Sequence, residues 1–231
     1  MRITPASDSA LLVTFGDSIS LEAHRKVIAL FRGLEQLCDR RVRNLHPAYA
    51  SLLIDFDPLS VTHGELETLL LSLSSAVMND HVEGLTADLI EIPVCYEGDF
   101  APDLASVAQH VRLTEEELVT LHAAGEYHVY FLGFSPGFAY MGGASHNLHV
   151  PRMETPRTHV SAGSVALAGE QTGIYPNDSP GGWQVIGRTP LRMFDPSRTP
   201  AARLGPGDRV RFKRVTRDEF VQIARDQEFG N

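Results

Sequence analysis

The chain has 231 residues, 43% of them hydrophobic and 21% charged, a balance that suits a globular protein able to bury a core. A formal net charge of −9 argues against a nucleic-acid or anionic-membrane surface. No apolar run nears the roughly 20 residues of a membrane span, the start lacks a signal-peptide core, and Cys38 and Cys95 read as buried reduced thiols, so a cytoplasmic protein is expected.

Leu11, Val13 and Phe15 alternate with Leu12 and Thr14, which predicts a half-buried strand over 10–15. From Leu21 to Cys38, Val27, Leu30, Phe31, Leu34 and Leu37 recur at helical spacing, with Ser20 placed to cap the start. Residues 42–47 and 50–56 read as a hairpin. A second helix follows, opened by the Thr62–Glu65 capping box and carrying an apolar stripe of Leu66, Leu69, Leu70, Leu73 and Val77. The order strand, helix, strand, strand, helix suits a small α+β layer with helices on one face of an antiparallel sheet.

The polar stretch from Asn79 to Ala87 is the expected boundary, giving domains 1–85 and 86–231. Beyond it, a strand begins at Leu89 and two short helices follow around 103–110 and 115–123, the second capped by Thr114 and Glu117. From Glu126 onward the chain reads as strand and turn only, closing with the strand at 209–212. So many turns with so little helix predict a closed or nearly closed barrel.

Residues 126–195 hold the richest pattern, in which glycine, proline and aromatic residues break up apolar β-formers. Such backbone bends sharply or approaches something closely. Gly133-Phe134-Ser135-Pro136-Gly137 matches the G-x-S-x-G of serine hydrolases, but that motif needs a backbone N–H after the serine, and Pro136 has none. No phosphate-binding glycine loop occurs. His146 and His149 lack the partners of a known metal pattern, so no metal site is expected.

Arg152 and Arg157 each follow a proline and could grip a carboxylate with a two-pronged hydrogen bond, or could equally form ordinary ion pairs. Gln171, Tyr175 and Trp183 pair apolar faces with polar tips, which suits a small-ligand pocket or a protein interface. Phe134, Phe138 and Tyr140 read either as core or as a docking edge. His122, near a helix C-terminus, is the candidate acid–base residue, with a buried capping role as the alternative.

The strings FLGFSPGFAYMGG, AGSVALAGEQTGIYP and SPGGWQVIGRTP, with the dipeptides Pro151-Arg152 and Pro156-Arg157, resemble the 5-oxoprolinase B-subunit family. That family is also called allophanate hydrolase subunit 1 and includes inhibitors of sporulation histidine kinases. The resemblance implies a cyclophilin-like fold for the barrel domain. It also implies membership in a complex with a larger, cyclophilin-like C subunit and with an A subunit, which together hydrolyse 5-oxo-L-proline to L-glutamate with ATP. On this resemblance ATP serves the assembled complex rather than this chain, which alone would be inactive. Arg152, Arg157, Gln171, Tyr175 and Trp183 would bind substrate, and Phe134, Phe138 and Tyr140 a partner. The other implied roles are a regulatory module acting on a histidine kinase and a urea- or allophanate-processing module.

Overall fold

A computed structural model of the chain describes residues 1–79, 89–143 and 145–229. The chain divides into two compact units, Met1–Ala87 and Asp88–Asn231. The expected linker lies outside the described residues apart from Asn79, and so does the side chain of Val77.

The first unit runs β1 (Arg2–Ser7), β2 (Ala10–Thr14), α1 (Leu21–Leu37), β3 (Val42–Pro47), β4 (Ser51–Phe56) and α2 (His63–Asn79). Its antiparallel sheet has the order β1-β2-β4-β3. The strict alternation of β4 buries Leu52, Ile54 and Phe56 on one face. They meet Val27, Leu30 and Leu34 of α1 and Leu66 and Leu70 of α2 in one core. Full burial of each such side chain stabilises the unit by about 2 kcal/mol. The Ser20 oxygen accepts from Ala23 N–H at 3.1 Å, and Thr62 and Glu65 exchange bonds at the head of α2.

Two expectations need correction here. An extra strand, β1, precedes the predicted first one. Pro5 speaks against a strand, yet β1 is an edge strand, where the missing N–H costs no ladder bond. Cys38 is exposed rather than buried, because the chain leaves α1 there in a left-handed conformation with φ 47°.

The second unit runs β5 (Leu89–Val94), α3 (Leu104–Val111), α4 (Glu115–Ala124), β6 (Tyr127–Leu132), β7 (Ala139–Gly142), β8 (Arg157–Val160) and β9 (Ser164–Ala168). It continues through β10 (Gln171–Ile174), β11 (Ser179–Gly181), β12 (Gln184–Arg188), β13 (Arg209–Arg214) and α5 (Arg217–Phe229). Seven strands form one sheet in the order β12-β9-β10-β7-β6-β13-β5, and β8 pairs with β11 separately. The sheet's two ends approach each other: Cys95, just past β5, and Arg188 of β12 exchange backbone hydrogen bonds of 2.9 Å in both directions. The result is a nearly closed barrel in a chain of mixed α+β content. Its interior holds Ile92, Val94, Val129, Met141, Leu167, Ile186 and Phe212, with Leu104, Val107 and Leu118 of α3 and α4 joined to them.

The helix α5 corrects the expectation of strand and turn only. It opens on a reciprocal Thr216–Glu219 pair of the kind used to predict α2 and α4. Among the described residues no helix is long and apolar enough to cross a membrane.

Candidate functional site

The barrel strands carry side chains on two packed faces. All five residues of β9 are buried: Val165 and Leu167 enter the interior, while Ala166 and Ala168 join a second cluster. That cluster holds Phe138, Tyr175, Trp183, Val160 and Val185, with Tyr140 packed against it. Phe138 meets Tyr175 at 5.3 Å and Trp183 at 5.5 Å between ring centroids, both edge to face. Such contacts add about 1 kcal/mol each beyond area burial. Gly173 permits this packing, since a Cβ there would stand 2.9 Å from the Phe138 ring and 3.1 Å from Trp183. Burial pushes the Tyr175 hydroxyl up in pKa, partly offset by the Trp183 backbone N–H that donates to it.

Phe134 surmounts this cluster. It is 63% exposed and sits at φ 66°, a left-handed conformation that a bulky side chain adopts only where its surroundings impose it. The imposing structure is a tight loop in which Gly133 N–H donates to Phe138 O at 3.1 Å and Phe138 N–H to Ser135 O at 3.0 Å. The Phe134 ring lies edge-on to Phe138 at 5.5 Å. The exposed Arg152 guanidinium stands 5.7 Å from the Trp183 ring centroid. Six predicted residues, Phe134, Phe138, Tyr140, Arg152, Tyr175 and Trp183, thus form one patch, aromatic beneath and cationic at its edge. Gln171 shares this face of β10 by strand alternation with Gly173.

Arg157 is placed elsewhere. Its fork is closed on Asp103, which is 6% exposed: Nη1 donates to Oδ2 at 2.8 Å and Nη2 to Oδ1. The same Oδ2 accepts from Val185 N–H at 2.6 Å. Arg157 therefore ties β8 to the start of α3 and to β12, and its two-pronged grip is spent inside the chain. Ser135 has a buried Oγ without a hydrogen-bond partner among the described residues, and the loop leads into β7 rather than a helix, so no nucleophile elbow is built.

His122 is fully buried, stacked on Phe212 at 4.5 Å. Thr172 Oγ1 donates its single proton to Ala166 O at 3.1 Å, so His122 Nε2 must donate to Thr172, also at 3.1 Å. Nδ1 is then the acceptor for the Tyr96 hydroxyl at 2.8 Å. Both ring nitrogens are thus engaged in the core, and burial lowers the imidazole pKa to about 3. This geometry makes His122 a neutral link in a buried chain of hydrogen bonds. Among the described residues no cluster of three potential metal ligands forms.

One region was not singled out from the sequence. A cleft of about 510 Å³ is lined by the turn at Ala162 and Gly163, by Pro176 and Asn177, by Arg188 through Arg192, and by Phe194, Phe220 and Ala224. Arg188 also lines a smaller recess of about 130 Å³ with Phe100, Arg157 and Ser161. Its sequence signal is slight, one charged residue ending the apolar strand Gln184–Arg188.

Residues 1–204 match the family described as "Carboxyltransferase domain, subdomain C and D". The chain belongs to that family. It is 38% identical over 228 residues to the 5-oxoprolinase B subunit of Bacillus subtilis (strain 168), covering 95% of both chains. Among solved structures it is similar to a conserved uncharacterized protein, PH0987, from Pyrococcus horikoshii, at 45% identity and TM-score 0.57 over 95% of this chain and all of that one. It is also similar to TTHA0988, at 38% identity and TM-score 0.77 over 89% of this chain. There the matched region spans 40% of a longer polypeptide.

Proposed function

We propose that this chain is the B subunit of an ATP-dependent 5-oxoprolinase, a complex that opens the lactam of 5-oxo-L-proline to give L-glutamate. The observation that carries this reading is the 38% identity to a 5-oxoprolinase B subunit along 95% of both chains. In the reaction the lactam C–N bond breaks, water supplies oxygen to the carbonyl carbon, and the ring nitrogen leaves as the amine. ATP supplies the driving force, through a phosphate-binding subunit other than this one. The exposed Phe134 and Arg152, on loops that lose little entropy on binding, form the docking face for the C and A subunits. Aromatic residues and arginine dominate the energetics of such contacts.

The test is glutamate release from 5-oxo-L-proline and ATP, measured with this chain alone and then with the A and C subunits. Turnover is expected only from the assembly, and turnover by the isolated chain overturns the reading. Phe134→Ser should leave the chain folded and weaken its co-purification with the C subunit. Undiminished association would place the docking face elsewhere.

A further inference from the structure

The cleft beside Arg188 contains an arginine with an unspent fork. Two other guanidinium groups on this unit are closed on carboxylates: Arg157 on Asp103, and Arg209 on Glu126 at 2.8 and 2.9 Å. Arg188 is held just as firmly but by its stem. Its backbone pairs with Cys95, its Nε donates to Ala162 O at 2.8 Å, and its guanidinium lies 5.9 Å from the Phe100 ring centroid. Phe100 in turn stacks on Phe220 of α5 at 4.4 Å. Neither Nη atom has an acceptor among the described residues, and Arg188 forms no ion pair there.

The cleft around it suits an anion. Among the described residues no carboxylate side chain lines it, although the chain carries a net charge of −9; Arg192 also lines it, with its guanidinium 3.5 Å from Asp195. Its volume of about 510 Å³ falls in the range of small-molecule sites. One wall is rigid: Gly163, at φ 82°, donates to Tyr175 O at 2.7 Å and accepts from Thr189 N–H at 2.9 Å. The Asn177 carboxamide also lines the cleft and has no hydrogen-bond partner among the described residues. Leu191, Phe194 and Phe220 supply apolar surface.

We infer that this cleft binds a small cyclic amide bearing a carboxylate, 5-oxo-L-proline itself, with the carboxylate on the Arg188 fork and the lactam edge on Asn177. The ring forces the lactam amide to be cis, so its N–H and C=O lie side by side, and a carboxamide presents the complementary acceptor and donor. The ring methylenes fall to the apolar wall. The choice of ligand rests on the 5-oxoprolinase reading. It moves the substrate clamp from Arg157, whose fork is occupied, to Arg188.

The first experiment is calorimetric titration of the isolated chain with 5-oxo-L-proline, 2-pyrrolidinone and cyclopentanecarboxylate. Removing either the carboxylate or the lactam should weaken binding about tenfold or more. Equal affinity for any of the three overturns the assignment. In the assembled complex, Arg188→Lys and Asn177→Ala should each raise KM about tenfold, with kcat within about twofold, because the lost contacts serve ground-state binding. Asn177 is exposed and makes no structural hydrogen bond among the described residues, so its variant reports on the site even if Arg188→Lys unfolds. An active complex whose KM ignores both changes, with no binding to the isolated chain, overturns the site and leaves the functional reading intact. Arg188-dependent binding of 5-oxo-L-proline alongside an inactive assembly supports the site and overturns that reading.

Discussion

Replacing His122 with glutamine should flatten the acid limb of the barrel unit's stability. In the folded chain burial lowers the imidazole pKa to about 3, whereas in the unfolded chain it returns to about 6.5. Between these values the unfolded state holds a proton that the folded state refuses. The stability linked to His122 is therefore complete above pH 6.5 and lost as pH falls towards 3, at up to about 1.4 kcal/mol per pH unit. From pH 6.5 to 4.5 the loss amounts to about 2–3 kcal/mol, a large share of a domain's 5–15 kcal/mol. Glutamine does not titrate, and its amide can still accept from Tyr96 and donate to Thr172. Trp183 is the only tryptophan and is buried in the aromatic cluster, so urea unfolding followed by its fluorescence reports on this unit. Carboxylates such as Glu126, held low by Arg209, steepen both profiles alike and cancel in the comparison. Wild-type and variant profiles that stay parallel within about 0.5 kcal/mol would refute the neutral, buried assignment.

Three further outcomes are expected. Asp103→Ala strands the Arg157 guanidinium and the Val185 N–H, and should cost about 3 kcal/mol in urea unfolding; a change below about 0.5 kcal/mol, within the usual range for plain surface substitutions, would make the pair incidental. Gly173→Ala drives a methyl group into Phe138 and Trp183, and should cost about 1–3 kcal/mol while shifting Trp183 emission; unchanged emission would contradict the packing described. A fragment of residues 89–231 contains every member of the barrel core and should unfold in one cooperative transition by circular dichroism; a broad, featureless melt would show that it cannot fold as an independent domain.

Local signals were legible in the sequence and long-range ones were not. Ser20, Thr62–Glu65 and Thr114–Glu117 marked three helix starts because each cap is closed within three residues. Thr216–Glu219 carries the same signal, yet the many charges after it hid α5. The two halves of the aromatic patch were legible one at a time, since Phe134 to Tyr140 and Tyr175 to Trp183 are each short runs rich in glycine and proline; their meeting is a product of the fold. The partners of Arg157 and Arg188 could not be. Asp103 lies 54 residues from Arg157, and whether a guanidinium's fork is full depends on a contact that no local pattern encodes. His122 illustrates the same limit: its helix was evident, but its neutrality comes from Phe212, Tyr96 and Thr172, which the fold brings together from three other segments.

The barrel's first and last strands are neighbours, with Leu89 opposite Arg209 in parallel register. A growing polypeptide must therefore carry β5 with that edge unpaired while about 120 more residues are made, on the order of ten seconds at ordinary synthesis rates. Pairs so distant along the chain are also the slowest to find each other once the chain is complete. Pro93 on β5 is the kind of residue that discourages a strand edge from recruiting the wrong partner during such a wait.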